Sequence, residues 1–243
     1  MLKIKDLTKF YGNNKVFDSV SLDIKRGTIT ALLGMNGAGK TTLQNIIMNR
    51  TNFTGNILID NITNVEFIKI QRNNILYLPD TPFLYDFLTG IEFVKFVADI
   101  QKIRFTEIQP KVDLLLDLFN LTEYKNGLIN DYSRGMKHKI ALISILIQSP
   151  KILLLDEPVA GLDTISIIAL KKLLKSMANN GTTIIFSTHI LDLVEGLCDS
   201  VAILHNKNLT FYKDITEMNK NEIEKIYLDI AGTQIDFAVS KLY

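Results

Sequence analysis

Gly34-Met35-Asn36-Gly37-Ala38-Gly39-Lys40-Thr41 follows the spacing G-x-x-x-x-G-K-[ST], and no other segment constrains the fold of this chain as tightly. Each residue type has a physical reason. The glycines let the backbone turn with its N–H groups pointing inward and no side chain in the way. A helix that begins near Lys40 offers unpaired amides and its positive dipole end to anionic oxygens. Lys40 brings a compact positive charge to β and γ phosphates. Thr41 offers a hydroxyl to Mg²⁺. The pattern demands a buried strand before it and a helix after it, and residues 28–33 (TITALL) and 41–48 meet both demands. An ordinary glycine turn would match the four fixed positions by chance in roughly 1% of chains this long. Residues 34–42 are therefore read as the cradle for ATP and Mg²⁺, including Thr42 just inside the helix.

A second carboxylate site follows in KILLLDEP, residues 151–158. A buried strand carries Asp156 and Glu157 to its carboxyl end, where open α/β sheets bind ligands. Asp156 is placed to hold Mg²⁺ through water. Glu157 can orient or deprotonate an attacking water.

Further apolar runs at 75–78, 152–155, 182–186 and 201–204 read as strands buried on both faces. Helical patterns at 91–100, 110–119, 135–148, 166–178 and 190–196 separate them, which argues for an α/β fold. The first 60 residues alternate short strands with turns at 11–14, 25–27 and 54–56, and so predict an antiparallel flank. The expected fold is a phosphate-loop core of mainly parallel sheet, with that flank and an inserted helical subdomain at about 81–149. It forms one domain over 1–243. A tail at about 206–243 holds a hairpin-like stretch (208–213) and a helix pattern (215–228), with Phe237 and Tyr243 as candidate dimer contacts.

The assembled pieces resemble the ATP-binding cassette superfamily, specifically the nucleotide-binding subunits of transporters, over nearly the whole chain and in the family's motif order. The resemblance implies ATP hydrolysis by a head-to-tail dimer with two ATP molecules at its interface. Tyr11 stands where the family stacks an aromatic ring on adenine, although strand-end tyrosines are common. Ser133 and Gly135, in YSRGM, stand at the signature that faces the other chain's γ-phosphate. Residues 160–163 (AGLD) look like the loop linking two cassettes. His189 stands where the family touches the γ-phosphate. The usual signature is LSGGQ, so Arg134 and Met136 depart from it, and the YS-basic-GMK pattern looks like a bacterial export-type branch. Arg134, Lys137 and Lys139 form a basic cluster, whose plain reading is a solvated helix face. Asp80 replaces the family's glutamine after strand 75–78. It either reaches the metal or makes an Asx-type turn before Thr81-Pro82. Gln71 lies before that strand, out of register for the role.

The resemblance also implies a membrane permease as partner, with residues 82–88 (PFLYDFL) forming part of a groove for it or packing within the subdomain. The N-terminal segment lacks a signal-peptide core, and the longest apolar stretch, 140–147, is far short of the roughly 20 residues that span a bilayer. A single cysteine, Cys198, excludes an internal disulfide and suits a reducing compartment. A cytoplasmic protein held at the inner membrane face through its permease is the expectation. Net charge of +1 carries no nucleic-acid signal. Two alternatives stay open: a soluble cassette protein outside transport, and a weakened partner in a heterodimer.

Overall fold

The computed structural model describes residues 1–215, 218 and 220–231. Phe237 and Tyr243 lie outside the described residues. Strands β1 (Leu2–Tyr11), β2 (Asn14–Ile24), β4 (Thr54–Ile59) and the two-residue β5 (Ile62–Thr63) form an antiparallel sheet in the order β2-β1-β4-β5. The second sheet contains β3 (Ile29–Leu33), β6 (Ile75–Leu78), β7 (Ile152–Asp156), β8 (Thr183–Thr188), β9 (Ser200–His205) and β10 (Asn208–Asp214). Its order is β10-β9-β3-β8-β7-β6, parallel throughout except that β10 returns antiparallel beside β9.

Every residue of β3, β7 and β8 is buried, which is why those segments read as unbroken apolar runs. Alternate side chains serve two separate cores. Ile29, Ala31, Leu33, Leu153, Leu155, Ile184 and Phe186 face the helical side. Leu32, Leu154 and Ile185 face the antiparallel sheet and α1 (Lys40–Ile47). Between β6 and β7 the chain forms α3 (Gly90–Ile100), α4 (Phe105–Leu118) and α5 (Arg134–Leu146), all packed on the first core.

Several local expectations need correction. Residues 54–56 are not a turn but the start of β4. Gly55 sits at φ 105°, where an added Cβ would lie 2.5 Å from the Asp6 carbonyl oxygen, so the glycine admits close strand approach inside the sheet. Residues 190–196 are not a helix but a single 3₁₀ turn, Leu191–Leu193, with the backbone reversing at Gly196 (φ 68°). α4 starts five residues before Pro110 and carries that proline inside it. Helix α2 (Asn64–Gln71) was not anticipated, although Thr63 and Glu66 form a complete capping box at its start. Helix α6 (Thr164–Asn179) is the expected one with its first turn added. The last described helix, α7, runs Lys220–Ala231, later than the 215–228 pattern suggests. Ile215 is instead a buried residue after β10. Among the described residues no helix is long and apolar enough to cross a membrane. Cys198 is buried and free, and burial pushes its thiol pKa up.

Candidate active site

β3 ends at Leu33 and the glycine-rich loop begins at once. Gly37 (φ 81°) and Gly39 (φ 102°) adopt left-handed backbone that side-chain-bearing residues rarely take. Gly39 has a second reason to be glycine, because a Cβ there would lie 2.7 Å from the Phe17 ring. Gly34 likewise passes within 2.7 Å of the Leu204 carbonyl oxygen, measured from the Cβ it lacks. Lys40 folds back across this loop. Its ammonium donates to the Gly34 carbonyl at 2.8 Å and to the Met35 carbonyl at 3.3 Å. Burial lowers its pKa, while the carboxylates of Glu157 and Asp156 pull it back up.

β7 delivers Asp156 beside the loop. The Thr41 hydroxyl donates to Asp156 Oδ2 at 2.6 Å, so these two oxygens already form one donor set. Behind them, the Gln44 amide in α1 donates to the Leu155 carbonyl at 2.9 Å and ties the helix to β7. Glu157 then turns out of the strand at φ 47°, an unusual conformation for a non-glycine residue and typical of functional positions. One carboxylate oxygen of Glu157 lies 3.1 Å from His189 Nδ1.

A cleft of about 290 Å³ is lined by Tyr11, Val16, Asn36, Gly37, Gly39, Lys40, Thr41, Thr42, Asp80, Asp156 and Glu157. Most of the expected nucleotide residues thus converge on one space. Met35 and Ala38 line a neighbouring depression on the other side of the loop, shared by Asn36 and Gly37. Tyr11 is half exposed at the cleft wall, with the Lys9 ammonium 4.4 Å from its ring centre. Lys9 is itself buried and is anchored by Thr51 and the Asn52 carbonyl. Gln71 sits at the opposite end of β6, bonded to Lys151 and Asn74, and is far from this chemistry.

Ser133 and Gly135 do not line the cleft. Ser133 caps α5, its hydroxyl oxygen accepting from the Met136 amide at 3.3 Å. Gly135 packs on the 160–163 loop: a Cβ there would lie 2.5 Å from the Gly161 carbonyl oxygen. The basic residues of α5 are not only the solvated face that the sequence suggested: Arg134 is largely exposed, but Lys139 is buried and all three have acidic partners. Each partner is far away in the chain: Arg134 pairs with Asp80 at 3.7 Å, Lys137 with Asp86 at 3.0 Å, and Lys139 with Asp163 at 2.5 Å. Asp163 also caps α6 through the Ser166 amide. The Lys139 bond first, then that amide, hold its carboxyl well below the usual carboxylate range. Buried His138 adds a further tie, its Nε2 lying 3.0 Å from the Pro158 carbonyl oxygen. Burial lowers the His138 pKa. Charge counting along one helix missed these pairs because the partners come from two distant stretches, Asp80 and Asp86 from one and Asp163 from the other.

Asp80 lines both the phosphate cleft and a second depression with Thr81, Pro82, Tyr132, Arg134, Lys137 and His138. Further out on this side, Phe83 (80% exposed) and Phe87 (74%) flank Tyr85, whose ring centre lies 5.5 Å and 5.7 Å from theirs. The sequence left groove and subdomain packing both open here. The rings divide the roles: Tyr85 packs on Phe96 and the core, and the two phenylalanines face outward.

Comparison with known proteins gives the family and the fold. The family model described as ABC transporter matches residues 17–160. The bacitracin transport ATP-binding protein BcrA of Enterococcus faecalis is 30% identical, covering 97% of this chain and 76% of its own length. A solved ATP-binding subunit of an ABC transporter has a TM-score of 0.82 at 30% identity, covering 100% of this chain and 99% of that one. The dimeric post-hydrolysis state of an ATP-binding cassette, bound to ADP and Pi, has a TM-score of 0.78 at 28% identity, covering 90% of this chain and 100% of that one.

Proposed function

This chain belongs to the ABC transporter family as an ATP-hydrolysing ATP-binding subunit, and on that premise we propose that it powers export through a separate membrane permease. Two cassettes pair head to tail. One observation carries the reading: Lys40, Thr41, Asp156 and Glu157 line a single cleft, whereas Ser133 and Gly135 stand outside it. A signature whose Ser133 and Gly135 stand outside the phosphate cleft of their own chain is free to cover the nucleotide of another. Each site is then half from either chain, with the γ-phosphate as part of the interface, so its loss weakens the closed state. The region at about 81–149 acts as the helical subdomain of one cassette, and the tail is a minor appendage.

Lys40 and the loop amides hold the phosphates, and Tyr11 offers its ring to the base. Glu157 orients the attacking water and accepts its proton. His189 steadies Glu157 and reaches the γ-phosphate. The Thr41 hydroxyl and Asp156 carboxylate suit a hard cation that takes its remaining oxygens from phosphate and water. Mg²⁺ held there by Thr41 and Asp156 would supply positive charge against the phosphates. Asp80 adds a third oxygen on the same cleft, shared with Arg134.

The exposed pair Phe83 and Phe87 offers the permease an apolar contact, which keeps the protein at the inner membrane face although none of its described helices spans it. The relative named for bacitracin transport supports a transport role, and the YS-basic-GMK signature pattern favours export. The cargo is set by the permease. The decisive experiment is Glu157→Gln: ATP still binds, the dimer persists in ATP, and turnover falls by roughly 10²- to 10⁴-fold. Normal turnover in that variant would sink the assignment of Glu157. Stimulation of the wild type by a reconstituted permease tests the transport role, and its absence would favour the soluble alternative.

A further inference from the structure

Asp156 and Glu157 are both anchored to one buried side chain to which the sequence reading gave no role, Ser187. Strands β7 and β8 pair in parallel with Asp156 opposite Ser187, which puts the two side chains on the same sheet face. Ser187 is completely buried and Asp156 nearly so. The Ser187 hydroxyl donates to Asp156 Oδ1. Ser187 Oγ in turn accepts from the Glu157 amide at 3.1 Å, and the Ser187 carbonyl accepts from that amide at 3.2 Å. One hydroxyl therefore spends its donor on the first carboxylate and an acceptor on the backbone of the second. It does so where Glu157 holds its strained φ of 47°.

The other oxygen of Asp156 is also engaged. Oδ2 accepts from Thr41 at 2.6 Å and from the Tyr77 hydroxyl at 3.5 Å. Tyr77 lies on β6, on the far side of β7 from Ser187. The Arg50 guanidinium lies 4.8 Å from the Tyr77 ring centre and fixes the ring from outside. A carboxylate has about four lone-pair sites, and three hydroxyls take three of them here. Rotation of the carboxylate would break all three bonds.

We propose that Ser187 is a positioning residue for ATP hydrolysis, aiming Asp156 and Glu157 together, with Tyr77 bracing Asp156 from the opposite strand. The inference rests on the reading that Asp156 and Glu157 act on the nucleotide. Groups that orient a metal ligand or a base act on metal affinity and turnover, while the amides and lysine that bind phosphate are untouched.

The test uses the full chain and three measurements. These are Mn²⁺ affinity by electron paramagnetic resonance with a non-hydrolysed ATP analogue, nucleotide affinity in EDTA by fluorescence, and the split of kcat against KM. Ser187→Ala is expected to weaken Mn²⁺ binding and kcat by about 10- to 100-fold, the usual range for such supporting groups. Nucleotide affinity in EDTA should stay near the wild type, while KM for the metal–nucleotide complex rises with the loss of metal affinity. Tyr77→Phe should shift Mn²⁺ affinity and kcat the same way by a smaller factor. Unchanged Mn²⁺ affinity in Ser187→Ala overturns the proposal, as does a loss of metal-free nucleotide binding equal to the loss of turnover, which would mark a general structural role. If Ser187→Ala fails to fold, Tyr77→Phe decides, and an unshifted Mn²⁺ affinity there is equally fatal. Glu157→Gln assayed alongside keeps the two readings apart. Its normal turnover would remove Glu157 from the chemistry without touching the Mn²⁺ result at Ser187.

Discussion

Gly135→Ala is expected to destabilise this protein, against the usual sign of that substitution in a helix. At a compatible site, glycine to alanine stabilises by about 0.4–1 kcal/mol, chiefly by restricting the unfolded chain. Gly135 is not such a site, because a Cβ would lie 2.5 Å from the Gly161 carbonyl oxygen. That oxygen belongs to backbone at φ 73° and cannot swing aside as a side chain would. Nor can α5 retreat freely, since His138 is tied to the Pro158 carbonyl oxygen and Lys139 to Asp163. The two segments must part by close to an ångström to reach ordinary contact. Overpacking of this kind costs about 1–3 kcal/mol, which leaves a net loss centred on about 1.3 kcal/mol after the alanine gain. With a urea dependence of about 1–3 kcal/mol per molar, the unfolding midpoint falls by roughly half to one molar. Urea titration followed by circular dichroism measures this directly. A midpoint that rises at unchanged slope refutes the packing argument and leaves Gly135 an ordinary helix residue. The variant should also impair ATP-dependent pairing, because the same displacement moves the signature relative to the 160–163 loop.

Other outcomes follow from the same geometry. Lys40→Ala should weaken ATP binding by about 1.5–3 kcal/mol, the worth of charge-assisted bonds, and fluorescence titration reads the loss. Unchanged affinity would count against the loop. Asp163 has a folded pKa below its unfolded value, so its contribution is present above the unfolded pKa of about 3.9 and is lost as pH falls through the folded one. Asp163→Ala should therefore cost about 1 kcal/mol of helix capping at pH 7, with the gap to wild type narrowing at acid pH in thermal melts. A gap that widens on acidification would contradict that sign. A photo-cross-linker placed at Phe87, 74% exposed, should capture the permease in native membranes. A permease complex that yields no product there would refute the apolar contact.

Much of the fold was legible because its signals are local. The spacing from Gly34 to Thr41 reports a backbone requirement, and the left-handed Gly37 and Gly39 meet it. The runs ending at Leu33, Leu78 and Asp156 report strands buried on two faces. Local reading failed where a segment's partner came from elsewhere. Residues 54–56 have turn composition, yet Gly55 is in a strand because β1 must pass close to it. Residues 190–196 have a helical pattern, yet their backbone is held by neighbours in another arrangement, with the Ile190 amide donating to the Thr188 hydroxyl. Helix α2 was readable in principle from its capping box, since Thr63 and Glu66 have the required spacing.

Sequence alone determined that this chain is a nucleotide-binding cassette and which residues are the candidates for phosphate contact, because a glycine loop before a helix carries its own geometry. Tertiary structure decided which of those residues share a cleft. Asp156 reaches Thr41 only because β7 lies one strand from β3 in the sheet, with β8 between them. That intervening strand brings Ser187, whose position in the sequence says nothing of the two carboxylates it aims. Pairing of Arg134 with Asp80 and Lys139 with Asp163 was equally invisible, since such bonds join residues far apart in the chain and leave no period or motif behind.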